Sequence, residues 1–251
     1  MGNLNLIDKA EEFIKIRNLI HIGAHEGQEM YYYDQYNNFE KIYFVEPIKE
    51  CADLIRDKIK LNSKYQLFNC ALGSEDKIEK FYVADGYDSG SSSLLAPRES
   101  DITFTKIIDI EVKQFTSLGL ENIDTAVVDT QGYEIEVLKG FNEKIYDLNI
   151  AIVEFANYEG YINQPTYKKL NKFMKKKGFV PIDQVKRINK PIPTKKGGSF
   201  GDVLFLNSKL LNKKNIYFYR LKNYIINLII FDLFVFTKKI PKRYIKTILK
   251  K

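Results

Sequence analysis

Up to residue 208, short apolar runs alternate with longer polar stretches that have helical spacing. The runs that predict strands are LIHIG (19–23), KIYFVEP (41–47), YQLFNCALG (65–73), KIEKFYVA (77–84), TAVVDT (125–130), NIAIVEF (149–155) and GDVLFLN (201–207). Strands that are mostly apolar on both faces and are separated by helices are typical of a parallel sheet covered on both sides. The pattern therefore predicts an α/β fold with a mostly parallel, doubly wound sheet. In such folds the ligand site lies at the carboxyl ends of the strands.

The chain is predicted to have three parts. An N-terminal helix is expected over residues 1–17, the catalytic domain over 18–208 and a basic, aromatic, helical tail over 209–251. Within the domain, residues 85–100 are rich in Gly and Ser and show no periodicity. A loop of that length in a compact domain is more often a lid over a ligand than a simple connection. Residues 189–201 predict a second loop, a flexible connection before the last strand.

The net charge of +7 is unevenly distributed. Residues 209–251 carry 12 Lys and Arg and one acid, whereas residues 1–208 carry 27 basic and 31 acidic side chains. A nucleic-acid-binding domain would be basic over its binding surface, so we expect no nucleic-acid partner. The N-terminus does not read as a secretion signal, and Cys51 and Cys70 fit reduced core thiols. A cytoplasmic location is therefore expected.

The basic tail has two interpretations. Residues 224–236 are mostly apolar but contain Asp232, and the uninterrupted run is too short to span a bilayer. After Pro241, apolar and basic positions recur with helical spacing. Residues 216–251 therefore either attach the protein peripherally to an anionic membrane surface, at the inner face of the membrane, or pack on protein. In the second case the partner is the domain itself or another subunit of a homo-oligomer.

The candidate chemistry begins where the first predicted strand ends, at Gly23 and Gly27. A dinucleotide-binding turn reads Gly-x-Gly-x-x-Gly, and here His25 and Gln28 occupy the second and third glycine positions. A pyrophosphate needs a turn free of side chains at a helix N-terminus, and Glu26 would repel it. S-adenosylmethionine has no phosphate and carries a sulfonium cation, which tolerates nearby carboxylates. The turn therefore favours S-adenosylmethionine over NAD, FAD or ATP.

Polar residues also end the other predicted strands. Glu46 follows the second strand, where an acid accepts hydrogen bonds from ribose hydroxyls, and residues 69–72 would meet an adenine ring. Asp129 and Glu154 end two later strands, so both are expected to face the centre of the cleft. Glu134 opens the next helix and fits either a ligand contact or a favourable interaction with the helix dipole.

These motifs, in this order and spacing, resemble the FkbM-type S-adenosylmethionine-dependent methyltransferases. The resemblance covers roughly residues 18–206 and rests on HIGAHEGQE, FVEP, NCALG, SSSL and VVDTQGYEIEVLKG, of which the last is the most specific. The usual first motif of the family reads Asp-Val-Gly-Ala-Asn-x-Gly, and this chain has His21 and His25 at the Asp and Asn positions. The resemblance implies a Rossmann-like class I methyltransferase fold and O-methylation, commonly of sugar or polyketide hydroxyls.

The resemblance also implies which residues contact ligands. The cofactor contacts would be Gly23, Ala24, His25, Gly27, Glu46, Pro47, Asn69, Ala71, Leu72 and Asp129. The acceptor, expected to be a sugar, glycan or glycolipid, would meet Ser91, Ser92, Ser93, Gln131 and Glu134. No metal ligand is predicted, although Asp129, Glu134 and Glu154 would suit a hard divalent ion if they converged.

A sugar hydroxyl has to lose its proton as the methyl group is transferred, so one residue is expected to act as a base. Asp129 is the first candidate, His25 the second and Glu154 the third. His21 lies at the end of a predicted strand and is expected to be a structural residue instead.

Two other functions stay open at this point. An NAD-dependent oxidoreductase would use a related nucleotide-binding fold, but the broken glycine pattern disfavours it. A non-catalytic, membrane-associated module would keep the fold and act through its tail. The presence of Glu46 and Asp129 at the expected positions disfavours that interpretation.

Overall fold

The computed structural model describes residues 2–84, 90–98, 104–189 and 198–223. Its strands, in chain order, are β1 (Asn18–Ile22), β2 (Lys41–Val45), β3 (Tyr65–Phe68), β4 (Ala71–Leu72), β5 (Lys77–Ala84), β6 (Phe104–Lys113), β7 (Thr125–Val128), β8 (Ile150–Ala156), β9 (Phe179–Asn189) and β10 (Gly198–Asn207). Seven of these strands form one sheet in the order β3-β2-β1-β7-β8-β10-β9, and the other three form a second sheet in the order β4-β6-β5. In the larger sheet β10 is antiparallel to both of its neighbours, and the other neighbouring strands are parallel. The mostly parallel sheet predicted from the sequence is confirmed.

Helices cover both faces of the larger sheet. They are α1 (Gly2–Glu11), α2 (Met30–Tyr33), α3 (Lys49–Ile59), α4 (Glu134–Gly140) and α5 (Tyr167–Lys176). Successive residues of β7 enter two different cores, since Val127 packs with residues of α1 to α3 whereas Ala126 and Val128 pack with residues of α4 and α5. Alternation between two buried faces explains why the central strands are apolar throughout. The sheet is therefore doubly wound.

Helix α5 illustrates how the sequence pattern sets a helix and its end. Tyr167, Leu170 and Met174 are buried at helical spacing against the sheet, and lysines occupy the exposed positions between them. The chain leaves the helix at Gly178, which has a φ of +86° that favours glycine. Burial of this apolar face is the main contribution of α5 to stability.

Three element predictions were wrong in detail. The helical stretch expected from the first strand to about residue 37 contains only the four-residue α2, because Gly23 and Gly27 have positive φ angles and the chain turns there. The run at 65–73 is not one strand, since β3 pairs with β2 in the larger sheet while β4 pairs with β6 in the smaller one. Strands β6 and β9 were not predicted.

Parts of the predicted loops and tail lie outside the described residues. Residues 90–98 of the first loop are described. Of the second loop, predicted at 189–201, residues 190–197 lie outside the described residues, and the prediction was wrong for 189 and 198–201, which belong to β9 and β10. Residues 213–223 of the tail are helical, and the tail predictions for 224–251 lie outside the described residues. Within the described part of the chain, no helix combines the length and the apolar character needed to cross a membrane.

Replacement of Gly23 by Ala is expected to destabilise the fold strongly. A Cβ atom at Gly23 would lie 1.7 Å from the carbonyl oxygen of Asp129, and the φ of +82° is itself unfavourable for alanine. We expect Gly23→Ala to lower the free energy of unfolding by about 3 kcal/mol or more, measured by urea unfolding. Gly119→Ala is the matched control, because Gly119 has a φ of +65° with no atom within 4 Å of its Cβ position, and it should cost only about 1 kcal/mol. Equal losses in the two variants would contradict the importance of the close approach.

Candidate active site

A cleft of about 530 Å³ opens at the carboxyl ends of β1, β2 and β7. Strands β4 and β5 of the smaller sheet and part of the loop 90–98 complete its wall. The cleft is lined by Ile22, Gly23, His25, Val45, Glu46, Pro47, Ile48, Cys70, Ala71, Leu72, Phe81, Gly90, Ser92, Leu94, Asp129, Thr130 and Gln131. The cleft thus lies at the edge of the sheet where the sequence predicts the ligand site.

Glu46 connects the turns that follow β1 and β2. Its side chain is 4% exposed, with Oε2 accepting a hydrogen bond from the backbone N–H of His25 (2.9 Å) and Oε1 accepting one from that of Ile48 (2.8 Å). Burial raises the pKa of Glu46 to about 7, although both hydrogen bonds oppose the shift. A carboxylate can accept about four hydrogen bonds, so this group has capacity for further donors from the cleft. It can therefore hold the two hydroxyl groups of a ribose.

Four backbone N–H groups of the turn after β1 already donate to other groups of the protein. Those of Gly23 and Ala24 donate to the carbonyl oxygen of Val45 (3.0 and 3.2 Å), and that of Gly27 donates to Ala24 (2.8 Å). The N–H of His25 donates to the carboxylate of Glu46, and helix α2 is only four residues long. A diphosphate would need such N–H groups at the start of a helix. The turn therefore fits a ligand without phosphate, as expected from its sequence.

The two histidines have different surroundings. His21 is buried, its Nδ1 lies 2.9 Å from the hydroxyl of Tyr33, its ring packs near Phe44, and burial lowers its pKa. It is a structural residue, as predicted. His25 has a φ of +49° and lies in the cleft wall, with Nδ1 at 3.1 Å from Nε2 of Gln28. Its Nε2 is buried and has no hydrogen-bond partner among the described residues.

Asn69, which directly follows β3, holds the residues after β2 in place. Its Nδ2 donates to the carbonyl oxygen of Glu46 (2.9 Å) and to that of Pro47 (3.1 Å). Ala71 and Leu72, two further predicted cofactor contacts, lie in the wall itself. The side chain of Asn69 therefore positions the residues that follow β2, while its neighbours form an apolar surface that suits an adenine ring.

A bridged pair of carboxyl groups lies at the end of β7 and β8. Nε2 of Gln131 is 2.8 Å from Oδ1 of Asp129 and 2.9 Å from Oε2 of Glu154, so one amide donates to both. Burial, and next the charge of Asp129, raise the pKa of Glu154 well above its ordinary value. These surroundings therefore favour the protonated form of Glu154 more than solvent would. Two of the three residues predicted as the base are thus adjacent, and Asp129 is the one that lines the cleft.

Glu134 is placed inside a turn and does not line the cleft. It is 4% exposed, and its Oε1 accepts hydrogen bonds from the N–H groups of Gly132 (2.8 Å) and Thr130 (3.2 Å). Burial raises its pKa to about 7. Among the described residues, no cluster of His, Cys, Asp or Glu could hold a metal ion, so Asp129, Glu134 and Glu154 do not converge on one. The position of Glu134 indicates that it stabilises the turn.

The described part of the Gly/Ser loop, residues 90–98, crosses the cleft. Ser92 lies in the wall, and the buried Ser93 donates from its hydroxyl to the carbonyl oxygen of Gln131 (2.9 Å). The backbone of Ser93 also pairs with that of Tyr82 on β5, through hydrogen bonds of 2.8 and 3.0 Å. Two of the predicted acceptor contacts, Ser92 and Gln131, therefore face the same space.

The segment after β8 packs against the loop 90–98 and against Gln131 of the cleft wall, which was not predicted from the sequence. Backbone hydrogen bonds of 2.8 and 3.1 Å join residues 160–162 to residues 96–98. The hydroxyl of Tyr161 donates to the carbonyl oxygen of Ser91 (2.6 Å) and lies 3.5 Å from Oε1 of Gln131. The signal that could have found it is the motif FANYEGY, two tyrosines directly after a strand that ends in an acid.

Comparison with known proteins agrees with this geometry. A model of the methyltransferase FkbM domain matches residues 21–181, well over half of the chain, which confirms the family resemblance and the fold that it implies. The chain is 22% identical over 221 residues to the 2-O-methyltransferase NoeI of Sinorhizobium fredii, a match that covers 82% of this chain and 84% of that protein.

Two solved structures are also similar. The methyltransferase FkbM of Methylobacillus flagellatus has 12% identity and a TM-score of 0.47, with 81% of this chain covered and 52% of that one. The precorrin-6y C5,15-methyltransferase of Geobacter metallireducens has 12% identity and a TM-score of 0.44, with coverage of 81% and 86%. The chain thus matches about half the length of the first structure and most of the second.

Removal of the Glu134 carboxyl group is expected to weaken the turn that carries Asp129 and Gln131. Glu134→Ala leaves two backbone N–H groups without an acceptor and should lower the free energy of unfolding by roughly 1–3 kcal/mol, whereas Glu134→Gln keeps an acceptor and should cost less. Urea unfolding measures both, with the exposed Glu143→Gln as the control.

Glu134 is also expected to make the stability of the protein depend on pH. Its folded pKa of about 7 lies above the ordinary value of 4.5, so the folded protein binds the proton more tightly. The resulting stabilisation is complete below the ordinary value and is lost as the pH rises through 7. Glu134→Gln should therefore flatten the fall in stability over this range, and an unchanged slope would contradict the buried position of the carboxyl group.

Proposed function

The chain belongs to the FkbM family of S-adenosylmethionine-dependent methyltransferases, and we propose that its acceptor is a hydroxyl group of a sugar or glycan. The observation that carries the proposal is the carboxyl pair of Asp129 and Glu154, held together by Gln131 at the ends of β7 and β8. Transfer to oxygen requires removal of a proton from the acceptor, and this pair supplies a group for that role.

The residues of the cleft fit S-adenosylmethionine. The buried carboxylate of Glu46 has capacity for ribose hydroxyls, Ala71 and Leu72 offer an apolar surface, and the turn after β1 has no phosphate-binding arrangement. A Cβ atom at Gly23 would meet Asp129, so this glycine lets the two strand ends approach closely beneath the ligand. When bound, the cofactor supplies an electrophilic methyl group on a sulfonium cation.

The residues of the chain would then position the acceptor and move its proton. Asp129 lines the cleft and is our first candidate for the base, because burial and the charge of Asp129 raise the pKa of Glu154 and disfavour its ionised form. Gln131 fixes the orientation of both carboxyl groups by donating to each of them. Alignment of the acceptor oxygen with the methyl group can supply roughly 7–11 kcal/mol of the acceleration.

Two observations support an oxygen atom of a sugar as the acceptor. The similar chain NoeI is a 2-O-methyltransferase, so its acceptor atom is oxygen. The acceptor end of this cleft combines carboxyl, amide and hydroxyl groups of Asp129, Gln131 and Ser92 with aromatic rings nearby, including Tyr161. Sugars present hydroxyl groups and apolar C–H faces to such surroundings.

The hydrogen bonds around the cleft favour this function over the two alternatives. An NAD-dependent oxidoreductase would need a phosphate-binding turn, and the N–H groups of Gly23, Ala24 and Gly27 are already used. A non-catalytic module would not need an amide that bridges two buried carboxyl groups. The methyltransferase function is therefore favoured over both.

Glu46 is expected to control affinity for the cofactor. Its ionised form accepts the ribose hydroxyls, so Glu46→Gln should weaken S-adenosylhomocysteine at least about 10-fold in isothermal titration calorimetry, given that a hydrogen bond to a charged group contributes about 1.5–3 kcal/mol. Because its pKa is about 7, affinity of the unchanged protein should fall as the pH is lowered through 7, and the Gln variant should lose that dependence.

Glu50→Gln is the matched control for Glu46, since Glu50 lies on the adjacent helix, is exposed and pairs with Lys106 on the protein surface. It should leave both the affinity and its pH dependence unchanged. If wild-type protein shows no binding, or if Glu46→Gln binds as tightly as wild type, the assignment of Glu46 to the ribose is wrong.

Asp129 is expected to control the chemical step. Asp129→Asn should reduce kcat by roughly 10²- to 10⁴-fold, the usual contribution of a general base, with a much smaller change in S-adenosylhomocysteine affinity. Transfer of a labelled methyl group to a panel of monosaccharides and oligosaccharides measures the rate, and the exposed Asp147→Asn serves as the control. Donor binding without transfer to any sugar hydroxyl would overturn the proposed acceptor.

A further inference from the structure

One atom of the cleft wall is left without a partner. Among the described residues, the buried side-chain atoms that lack a hydrogen bond are Nε2 of His25, Nε2 and Oε1 of Gln184 and Nζ of Lys186. Of these, only the histidine lines the cleft. A buried donor or acceptor without a partner is destabilising, and most such groups in folded proteins are satisfied. The position in a ligand cleft indicates that a ligand supplies the partner of His25.

The hydrogen bonds of His25 determine which chemistry its Nε2 offers. The side-chain amide nitrogen of Gln28 lies 3.1 Å from Nδ1, and since an amide nitrogen donates, Nδ1 accepts. In a neutral imidazole the hydrogen is then carried by Nε2. The backbone N–H of His25 donates to Glu46 at 2.9 Å and the ring contacts Gln28, so both the main chain and the ring of His25 have a partner next to the proposed ribose site. The cleft therefore has one fixed N–H donor at this position.

The position of His25 in the sheet indicates which part of the cofactor its Nε2–H would contact. In the larger sheet β1 lies between β2, whose end carries Glu46, and β7, whose end carries Asp129. If the ribose is held by Glu46 and the methyl group points to Asp129, the amino-acid portion extends over the turn after β1. The carboxylate is the only anionic group of S-adenosylmethionine, whereas its sulfonium and ammonium groups are cations that an N–H donor would repel.

We propose that Nε2–H of His25 donates a hydrogen bond to the carboxylate of the methionine portion of S-adenosylmethionine, an assignment that rests on the proposed function. An Nε2 that carries hydrogen and donates to the cofactor cannot accept a proton from the acceptor. His25 is then a cofactor contact and not a base. The base is one of the two carboxyl groups bridged by Gln131.

The test compares two ligands that differ in one group. S-adenosylhomocysteine carries the carboxylate, and its decarboxylated analogue S-adenosyl-3-thiopropylamine does not. His25→Gly removes the ring, keeps the backbone N–H that Glu46 binds, and tolerates the φ of +49°. We expect His25→Gly to weaken S-adenosylhomocysteine roughly 10- to 100-fold, as for a hydrogen bond to a charged group, and to change the affinity for the analogue less than about 2-fold.

Asn122→Gly is the control, because Asn122 has a φ of +60° and lies away from the cleft. A second measurement needs no substitution: the chain contains two histidines, so ¹⁵N spectra of histidine-labelled protein can assign the tautomer of His25. Hydrogen on Nε2, with its proton resonance shifted downfield by S-adenosylhomocysteine, supports the proposal. Hydrogen on Nδ1, or equal losses for both ligands, overturns it. Wild-type protein that binds neither ligand would instead overturn the proposed function.

A different surface carries a second inference. Residues 213–223 form a helix that contacts the domain through Ile216, Tyr219 and Asn223. The ring of Tyr219 lies 6.1 Å from that of Phe13. The side chain of Asn223 accepts a hydrogen bond from the hydroxyl of Tyr167 (2.9 Å). The helix is therefore attached to the domain along one side.

The other side of this helix combines apolar and basic residues. Tyr217 is 71% exposed, Phe218 58% and Leu221 43%. Lys213, Lys214, Arg220 and Lys222 flank them, and the sequence from 209 to 223 contains no acid. Exposed apolar side chains between cations are complementary to a surface with anionic headgroups above an apolar layer.

Independently of the catalytic assignment, we infer that this helix lies on an anionic lipid bilayer. Full-length protein should co-sediment with phosphatidylglycerol vesicles and not with phosphatidylcholine vesicles, and high salt should weaken the association. A triple variant, Tyr217→Ser with Phe218→Ser and Leu221→Ser, should reduce the bound fraction at least about 10-fold.

The matched control removes equally exposed apolar groups elsewhere, through Tyr31→Ser with Leu61→Ser and Ile78→Ser, and it should bind vesicles like wild type. The inference is overturned if wild type does not bind anionic vesicles, or if the triple variant and the control behave alike. It is also overturned if the triple substitution changes the sedimentation coefficient of the free protein, since the helix would then be an interface between two copies of the chain.

Discussion

The cleft depends on one buried carboxylate that ties together the turns after two neighbouring strands. Glu46 accepts the N–H of His25 with one oxygen and that of Ile48 with the other, so the end of β2 determines the path of the chain after β1. Burial raises its pKa, which means that keeping it ionised costs stability. A ligand that donates hydroxyl groups to this carboxylate offsets the cost. The shape of the turn and the affinity of the cleft are therefore set by the same group.

Two of the five described non-glycine residues with positive φ line the cleft. His25 and Gln131, at the ends of β1 and β7, are non-glycine residues with positive φ angles of +49° and +54°. Such conformations persist only where the surroundings enforce them. Here the enforcing contacts are the carboxylate of Glu46 on one side and the carboxyl groups of Asp129 and Glu154 on the other. Acidic side chains thus position two strained turns, and the cleft lies between them.

The candidate site was partly predictable from the sequence. Glu46 and Asp129 were found because each directly follows an apolar strand, and the carboxyl ends of parallel strands meet at one edge of a sheet. The role of Glu134 was not predictable, since the start of a helix is compatible both with a ligand contact and with a bond to the turn before it. Tyr161 was missed because its hydroxyl contacts Ser91 and Gln131, which lie 70 and 30 positions away in the chain.

By itself, the sequence determined the doubly wound fold, the edge of the sheet at which the cleft opens and the family. These features depend on local periodicity and on the residue types directly after each strand. Only the tertiary structure decided that residues 65–73 divide between two sheets, that Gln131 bridges Asp129 and Glu154, and that Nε2 of His25 lacks a partner. Each of these depends on which distant groups come within hydrogen-bond distance. Packing sets that distance, and spacing along the chain does not encode it.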